Sequence, residues 1–166
     1  MPKISRESRW GEMILAIDPG CTESAYVVLE DGLYPAQFGK EENEKILERI
    51  KWFNKLLGEN FAIEMVASYG MAVGVEVFET VFWIGRFWES ADKLIRRKIY
   101  RKDEKINLCH TMKAKDTNIR QALIDRFGIV GTKKAPGWFY GFKADIWSAY
   151  AVGVTYYDMY IKDGAE

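Results

Sequence analysis

One histidine, His110, and two cysteines, Cys21 and Cys109, are all that 166 residues supply of the side chains that build triads, zinc sites and disulfide frameworks. The cysteines lie far apart in sequence, without the paired spacing of a structural zinc site, and a single histidine removes His-based triads and His-rich metal centres. His110 beside Cys109 reads more simply as part of a half-buried strand. Long apolar runs are missing too: none approaches the ~20 residues of a membrane span. The polar N-terminus lacks the hydrophobic region of a signal peptide, so a cytosolic protein is expected. Nor is there an excess of charge of either sign. The 24 Lys and Arg offset 24 Asp and Glu, so overall charge does not announce a nucleic-acid partner.

What is present is apolar and aromatic. With 48% hydrophobic and 14% aromatic residues, the chain can bury roughly two-thirds of its unfolded surface in a single core. Residues 1–11 are polar and aperiodic and read as an extension, 12–162 as one domain, and 163–166 as a tail. Charge is uneven along the chain. Arg96-Arg97-Lys98, Arg101-Lys102, Lys113, Lys115, Lys133-Lys134 and Lys143 gather in the second half, whereas Glu41, Glu42, Glu44 and Glu48 make the first helix acidic.

Hydrophobic patterning predicts strands at Met13–Ile17, Ser24–Glu30 and Leu33–Phe38, the last two joined by the hairpin signal Asp31-Gly32. An amphipathic helix follows from Glu42 to Leu57, stopped by Gly58, and then a short strand, Phe61–Glu64. The periodicity predicts a long helix from Val75 to Lys98, a strand at Ile106–Cys109, a helix from Thr117 to Phe127, a long loop from Gly128 to Gly141, and a core helix from Ala144 to Tyr160. On the long helix, Trp83 and Phe87 lie off the main apolar stripe. They widen it beyond what one sheet face needs and mark a second contact surface.

Three acids stand at element ends. Asp18 closes the first apolar run and is followed at once by Pro19-Gly20, Glu64 closes the strand after the first helix, and Asp145 opens the last helix. If the first and fourth strands are neighbours, the two strand-end acids converge and the helix start brings the third. Three such carboxylates cannot all ionise without counter-charge. A hard divalent cation resolves the repulsion while activating water and gripping phosphate oxygens, which points to phosphodiester hydrolysis. Each acid also has a plain structural alternative: turn residue, salt-bridged strand end, or helix-dipole partner.

At these positions the chain resembles the RuvC-type Holliday junction resolvases of the ribonuclease H-like superfamily, especially their phage-encoded members. The resemblance rests on Leu15-Ala-Ile-Asp18-Pro-Gly20, on Ala62-Ile-Glu64, on the segment Lys113-Ala-Lys115 through Phe127, and on Asp145-Ile-Trp-Ser-Ala-Tyr-Ala-Val152. It implies an α/β fold with a mixed five-stranded sheet, its first three strands an antiparallel meander, flanked by helices on both faces. It also implies a homodimeric crossover junction endodeoxyribonuclease that uses Mg²⁺, or Mn²⁺ in its place, to cut branched DNA by attack of a metal-activated water. For a phage-encoded member the compartment would be the host cytoplasm.

By the same resemblance Asp18, Glu64 and Asp145 are catalytic metal ligands, with Ser148 where relatives carry a further acid. Asp158 cannot replace it, because 13 helical residues set it roughly 20 Å from Asp145, and Asp116 has no support from the pattern. Lys115 matches a DNA-contacting lysine, with Lys113 beside it. Tyr69, in the loop after Glu64, is placed to stack on an unpaired base. Trp83 and Phe87 would form the dimer contact. The missing acid leaves one alternative within the fold, a junction-binding protein with weakened or lost catalysis. A sugar-kinase or actin-type phosphate domain is disfavoured, because it needs a second such domain and a second glycine-rich loop.

Overall fold

In the computed structural model, strand β1 (Ile14–Asp18) runs through the middle of a five-stranded sheet, and its alternation sorts the molecule into two layers. Ile14 and Ala16 face one side, Leu15 and Ile17 the other, and all four are fully buried. A strand apolar on both faces belongs at the centre of a sheet covered on both sides. The residues described are 13–56 and 59–162; the expected extension, the tail and the helix end at Leu57-Gly58 lie outside them.

Strand β2 (Glu23–Glu30) pairs antiparallel with β1, and β3 (Tyr34–Glu42) antiparallel with β2, so the expected meander is present. The turn at Asp31–Leu33 places Gly32 and Leu33 at positive φ and tucks Leu33 into the core, which delays β3 to Tyr34. Helix α1 (Asn43–Phe53) then leads to β4 (Asn60–Met65), which lies parallel to β1. The strand order is β3-β2-β1-β4, completed by β5 (Ile95–Tyr100).

Between Val75 and Cys109 the structure departs from the expected elements. Helix α2 (Val75–Ser90) ends early, β5 is Ile95–Tyr100, and Ile106–Cys109 is no strand but the end of helix α3 (Arg101–Cys109). Ile95 and Ile99 are four residues apart and continue a helical stripe on paper. In space they sit on a strand parallel to β4, at the sheet edge. Arg96, Arg97 and Lys98 give that edge the charge that discourages pairing with another chain. Helix α3 is started by the Asp103 carboxylate, which accepts the Tyr100 backbone N–H at 3.0 Å.

Trp83 and Phe87 are not surface residues. Both are buried in the layer that α1 and α2 form against the sheet, their rings 5.6 Å apart. The exposed apolar side chains of α2 are Val75, Phe78, Val81 and Phe82. The covered side is thus shifted toward Trp83 and Phe87: Ile84 and Ala91 are buried with them, whereas Phe78 and Val81 face outward.

The opposite layer holds α3, α4 (Asp116–Phe127) and α5 (Asp145–Tyr160). Nearly all of α5 from Ile146 to Tyr156 is buried, as its continuous apolar sequence requires. The loop from Gly128 to Gly141 is exposed along much of its length but anchored near its end: Trp138 and Phe139, with Phe142, join Trp147 and Tyr150 in one aromatic cluster. Trp138 Nε1 donates to Tyr150 Oη at 3.1 Å, and Tyr150 Oη donates to the Leu33 carbonyl at 3.0 Å. The loop thus anchors the first half of α5 to the sheet. No helix among the described residues is long and apolar enough to cross a membrane.

Gly153 is where α5 comes closest to the sheet. A Cβ there would stand 2.5 Å from Leu29 Cδ1 and 3.0 Å from Ala16 Cβ, both in fully buried residues. Gly153→Val gains a few tenths of a kcal/mol in helix propensity but overpacks this contact at a cost of about 1–3 kcal/mol or more. Urea denaturation is expected to show a net loss of at least about 1 kcal/mol; unchanged stability would mean the helix can lift off the sheet freely.

Candidate active site

Parity puts the two strand-end acids on one face. Asp18 follows Ile14 and Ala16 at period two, and Glu64 follows Ala62, so both carboxylates turn toward the α5 layer. Because Ile17 pairs with Ile63 in parallel register, Asp18, the last residue of β1, and Glu64, the last but one of β4, lie side by side. Asp18 also pairs with Ala25 and Ala25 with Lys40, so Lys40 belongs to the same row across the sheet. Its ammonium meets Asp145 Oδ2 at 2.7 Å, at the start of α5. The carboxyl ends of parallel strands are where α/β sheets carry their sites.

The turn after Asp18 is held rigidly. Ser24 Oγ accepts the Gly20 N–H at 3.1 Å and donates to Asn43 Oδ1 at 2.7 Å, while Asn43 Nδ2 donates to the Gly20 carbonyl at 3.0 Å. Any side chain at Gly20 would collide with the Glu23 carbonyl. On the other side, Ala144 precedes Asp145 with φ 32° and ψ −113°, an uncommon conformation for a residue with a Cβ and of the kind that concentrates at functional positions.

Two acids and two cations that the sequence did not single out complete the arrangement. Glu104, from α3, is fully buried. Arg101, at the first turn of the same helix, donates to Glu104 Oε2 at 3.2 Å and also pairs with Asp116 at the start of α4. The site therefore gathers Asp18, Glu64, Glu104, Asp116 and Asp145 against Arg101 and Lys40.

That imbalance appears in the proton affinities. Burial, then the charges of Glu64 and Asp145, push the Asp18 carboxyl from 3.8 up to about 8, with Arg101 and Lys40 opposing. Burial also raises Glu64, where Asp116 adds to the effect and Arg101 opposes it. Burial by itself would lower Arg101, but Glu104, Glu64 and Asp116 outweigh it and raise the guanidinium. The Asp145 hydrogen bond raises Lys40.

A cleft of about 280 Å³ opens beside these groups, lined by Arg101, Asp116, Arg120, Asp145, Trp147 and Ser148. Ser148 thus faces the same space as Asp145. Arg120 lies over the Trp147 ring, 4.6 Å from its centroid. Lys113 and Lys115 are exposed ahead of α4 and do not line the cleft; Tyr69 is exposed in the loop after β4. Asp158 is far along α5, bound by Arg126 and Asn107.

Comparison of the backbone with solved structures identifies the architecture. Thermus thermophilus RuvC superposes with a TM-score of 0.61 at 17% sequence identity, over 88% of this chain and 95% of that one. The fold is that of RuvC. The same enzyme in complex with a Holliday junction substrate matches at 0.61 and 16% identity, over 89% and 95% of the two chains. A Fowlpox virus resolvase bound to substrate Holliday junction DNA matches at 0.44 and 10%, over 90% and 99%. No family model and no curated protein sequence matches the chain. The mixed five-stranded ribonuclease H-like sheet expected from the motifs is therefore the fold adopted.

The donor set fits a hard divalent cation: every acid offers oxygen, the negative charge exceeds the positive, and Glu104 Oε1 is buried without a hydrogen-bond partner among the described residues. The acids are not arranged around one point, however. Among the described residues no three His, Cys, Asp or Glu side chains are grouped to hold a metal ion, and Asp145 is engaged by Lys40. Cation binding at Asp145 thus requires exchange of Lys40, an inexpensive step because both side chains are nearly half exposed.

In chelator, the folded protein holds a proton on Asp18 that the unfolded chain has already released above pH ~4. The contribution of Asp18 to stability is therefore full below pH ~4 and is lost as pH rises toward 8, by up to about 1.4 kcal/mol per unit. Glu64 and Glu104 act in the same sense. Asp18→Asn is expected to flatten this slope in urea denaturation between pH 5 and 8; an equally steep slope would remove Asp18 as its main source.

Proposed function

We propose that the protein is a divalent-metal-dependent endonuclease that cuts branched DNA, four-way junctions foremost, and that it belongs with the phage-type members of the RuvC group. The observation that carries this is the pair of half-buried carboxylates side by side on neighbouring parallel strands, facing the first turn of α5 within this fold. Burying two like charges side by side is unfavourable unless a cation completes the site. That Thermus thermophilus RuvC, which has this fold, is found in complex with a Holliday junction substrate supports branched DNA as the substrate class.

Asp18, Glu64 and Asp145 would hold Mg²⁺ or Mn²⁺, with the Ser148 hydroxyl beside Asp145. The bound cation supplies an activated water and positive charge for the oxygens of the phosphodiester. The chain's own groups bind and orient the substrate. Lys40, released from Asp145, and Arg120, on the cleft wall, are positioned for backbone phosphates, and Lys113 and Lys115 extend this positive margin toward the flanking duplex. Tyr69 offers an exposed ring on which an unpaired base at the branch stacks. Ser148 in place of an acid favours the second reading, junction binding with weakened catalysis.

Symmetric cutting needs two sites. The outer side of α2 would supply the contact with a second copy: Phe78 and Phe82 are 63% and 62% exposed, one helical turn apart, with Val75 and Val81 also exposed on that helix. Phe78→Asp is expected to shift the sedimentation behaviour of a dimer to that of a monomer at micromolar concentration. A wild-type protein that sediments as a monomer with and without junction DNA would remove the dimer.

Asp18→Asn is expected to lower cleavage of an end-labelled four-way junction in Mg²⁺ by at least about 100-fold while leaving gel-shift affinity within a few fold. Cleavage undiminished by the substitution would overturn the assignment. Junction binding without cutting by the unaltered protein, in Mg²⁺ and in Mn²⁺, would select the binding-only reading.

A further inference from the structure

Glu104 is fully enclosed, yet the site as read so far gives it no task. It lies on the first turn of α3, where an acid is expected for the helix dipole, but such acids are normally solvated. Its Oε2 accepts from Arg101 at 3.2 Å. Its Oε1 has no hydrogen-bond partner among the described residues. An enclosed carboxylate left half satisfied is among the costliest arrangements a protein interior can hold, and such an atom calls for an explanation.

The surroundings supply one. Burial, Glu64 and Asp18 raise the proton affinity of Glu104 well above the ordinary range against the pull of Arg101, so the acids share one region of low solvation. Arg101 is the only ion-pair partner of Glu104 among the described residues, and it divides its guanidinium with Asp116. Asp116 itself is exposed and already paired, and Asp158 is occupied elsewhere. Ser148, the position on α5 where an acid would be expected, brings no charge.

We propose that Glu104 is a ligand for a divalent cation, its unpaired Oε1 providing from α3 the carboxylate oxygen that Ser148 does not provide from α5, in a position shared with Glu64. Arg101 holds Oε2 and so presents Oε1. This assignment rests on the metal-dependent reading of the site, and its test separates the two.

The test is calorimetric titration with Mn²⁺, without DNA, of the unaltered protein, Glu104→Gln and Asp18→Asn, with melting temperatures taken in chelator and in saturating Mn²⁺. Glutamine keeps the shape and the acceptor for Arg101 but removes the anionic oxygen. Glu104→Gln is expected to bind one Mn²⁺ fewer per chain, or to bind it at least about tenfold more weakly, and to melt no lower than the unaltered protein in chelator. Asp18→Asn is expected to lose Mn²⁺ binding as well.

If Glu104→Gln titrates like the unaltered protein while Asp18→Asn does not, Glu104 is no ligand and the metal site stands without it. The same holds if Glu104→Gln melts lower in chelator with an unaltered titration, which identifies a purely structural carboxylate. Unaltered titration of Asp18→Asn would overturn the metal site itself. Should the glutamine variant not fold, Glu104→Asp, which keeps the charge and withdraws the oxygens by one methylene, is expected to weaken the same Mn²⁺; unchanged binding overturns the proposal again.

Discussion

Two carboxylates, Asp18 and Glu64, are held side by side at the ends of neighbouring parallel strands, and the arrangement of the rest of the site follows from containing their charge. The sheet leaves them no choice of direction: parity turns both toward α5, and the locked Pro19–Thr22 turn prevents Asp18 from swinging into solvent. Burial then makes their mutual repulsion expensive. Lys40 answers from one side through Asp145, and Arg101 from the other through Glu104 and Asp116.

These counter-charges differ in kind. The Lys40–Asp145 pair is half exposed and contributes little to stability, so it is suited to exchange when a cation or a phosphate arrives. Arg101 is more enclosed and bound on two sides, and it acts as a fixed bracket between α3 and α4. The helices that carry these groups are tied down far from the charges: α5 by the close contact of Gly153 with the sheet and by the aromatic cluster beneath the Gly128–Gly141 loop. The precision of a charged site thus derives from apolar packing one or two turns away.

The sheet's centre was legible because its signals are local. An apolar run ended by Asp-Pro-Gly, an Asp-Gly hairpin and a second strand ended by an acid need no knowledge of what packs against them, and β1 to β4 appear in the expected order. The stretch from Val75 to Cys109 was not legible, since its outcome turns on partners. Nothing in Ala91-Asp92-Lys93-Leu94 marks a break with glycine or proline, and Ile95 and Ile99 suit a helix stripe or an edge strand equally well. Pairing with β4 decides for the strand, and packing on α4 and α5 decides for the helix at Ile106–Cys109. Trp83 and Phe87 were read outward for the same reason: a helix shows how wide its apolar stripe is, but only the sheet position shows which part is covered.

By itself the sequence determined the alternating strands, the acids that close them and the acid that opens the last helix, because period and punctuation are properties of consecutive residues. The tertiary structure alone decided which charges meet: that Lys40, 105 residues from Asp145, bonds to it, and that the run Arg101-Lys-Asp-Glu104, which reads as an ordinary charged segment, sends one arginine and one fully buried glutamate into the site. Electrostatic neighbourhood depends on distance in space, and only the folded sheet brings these distant segments within range of Asp18.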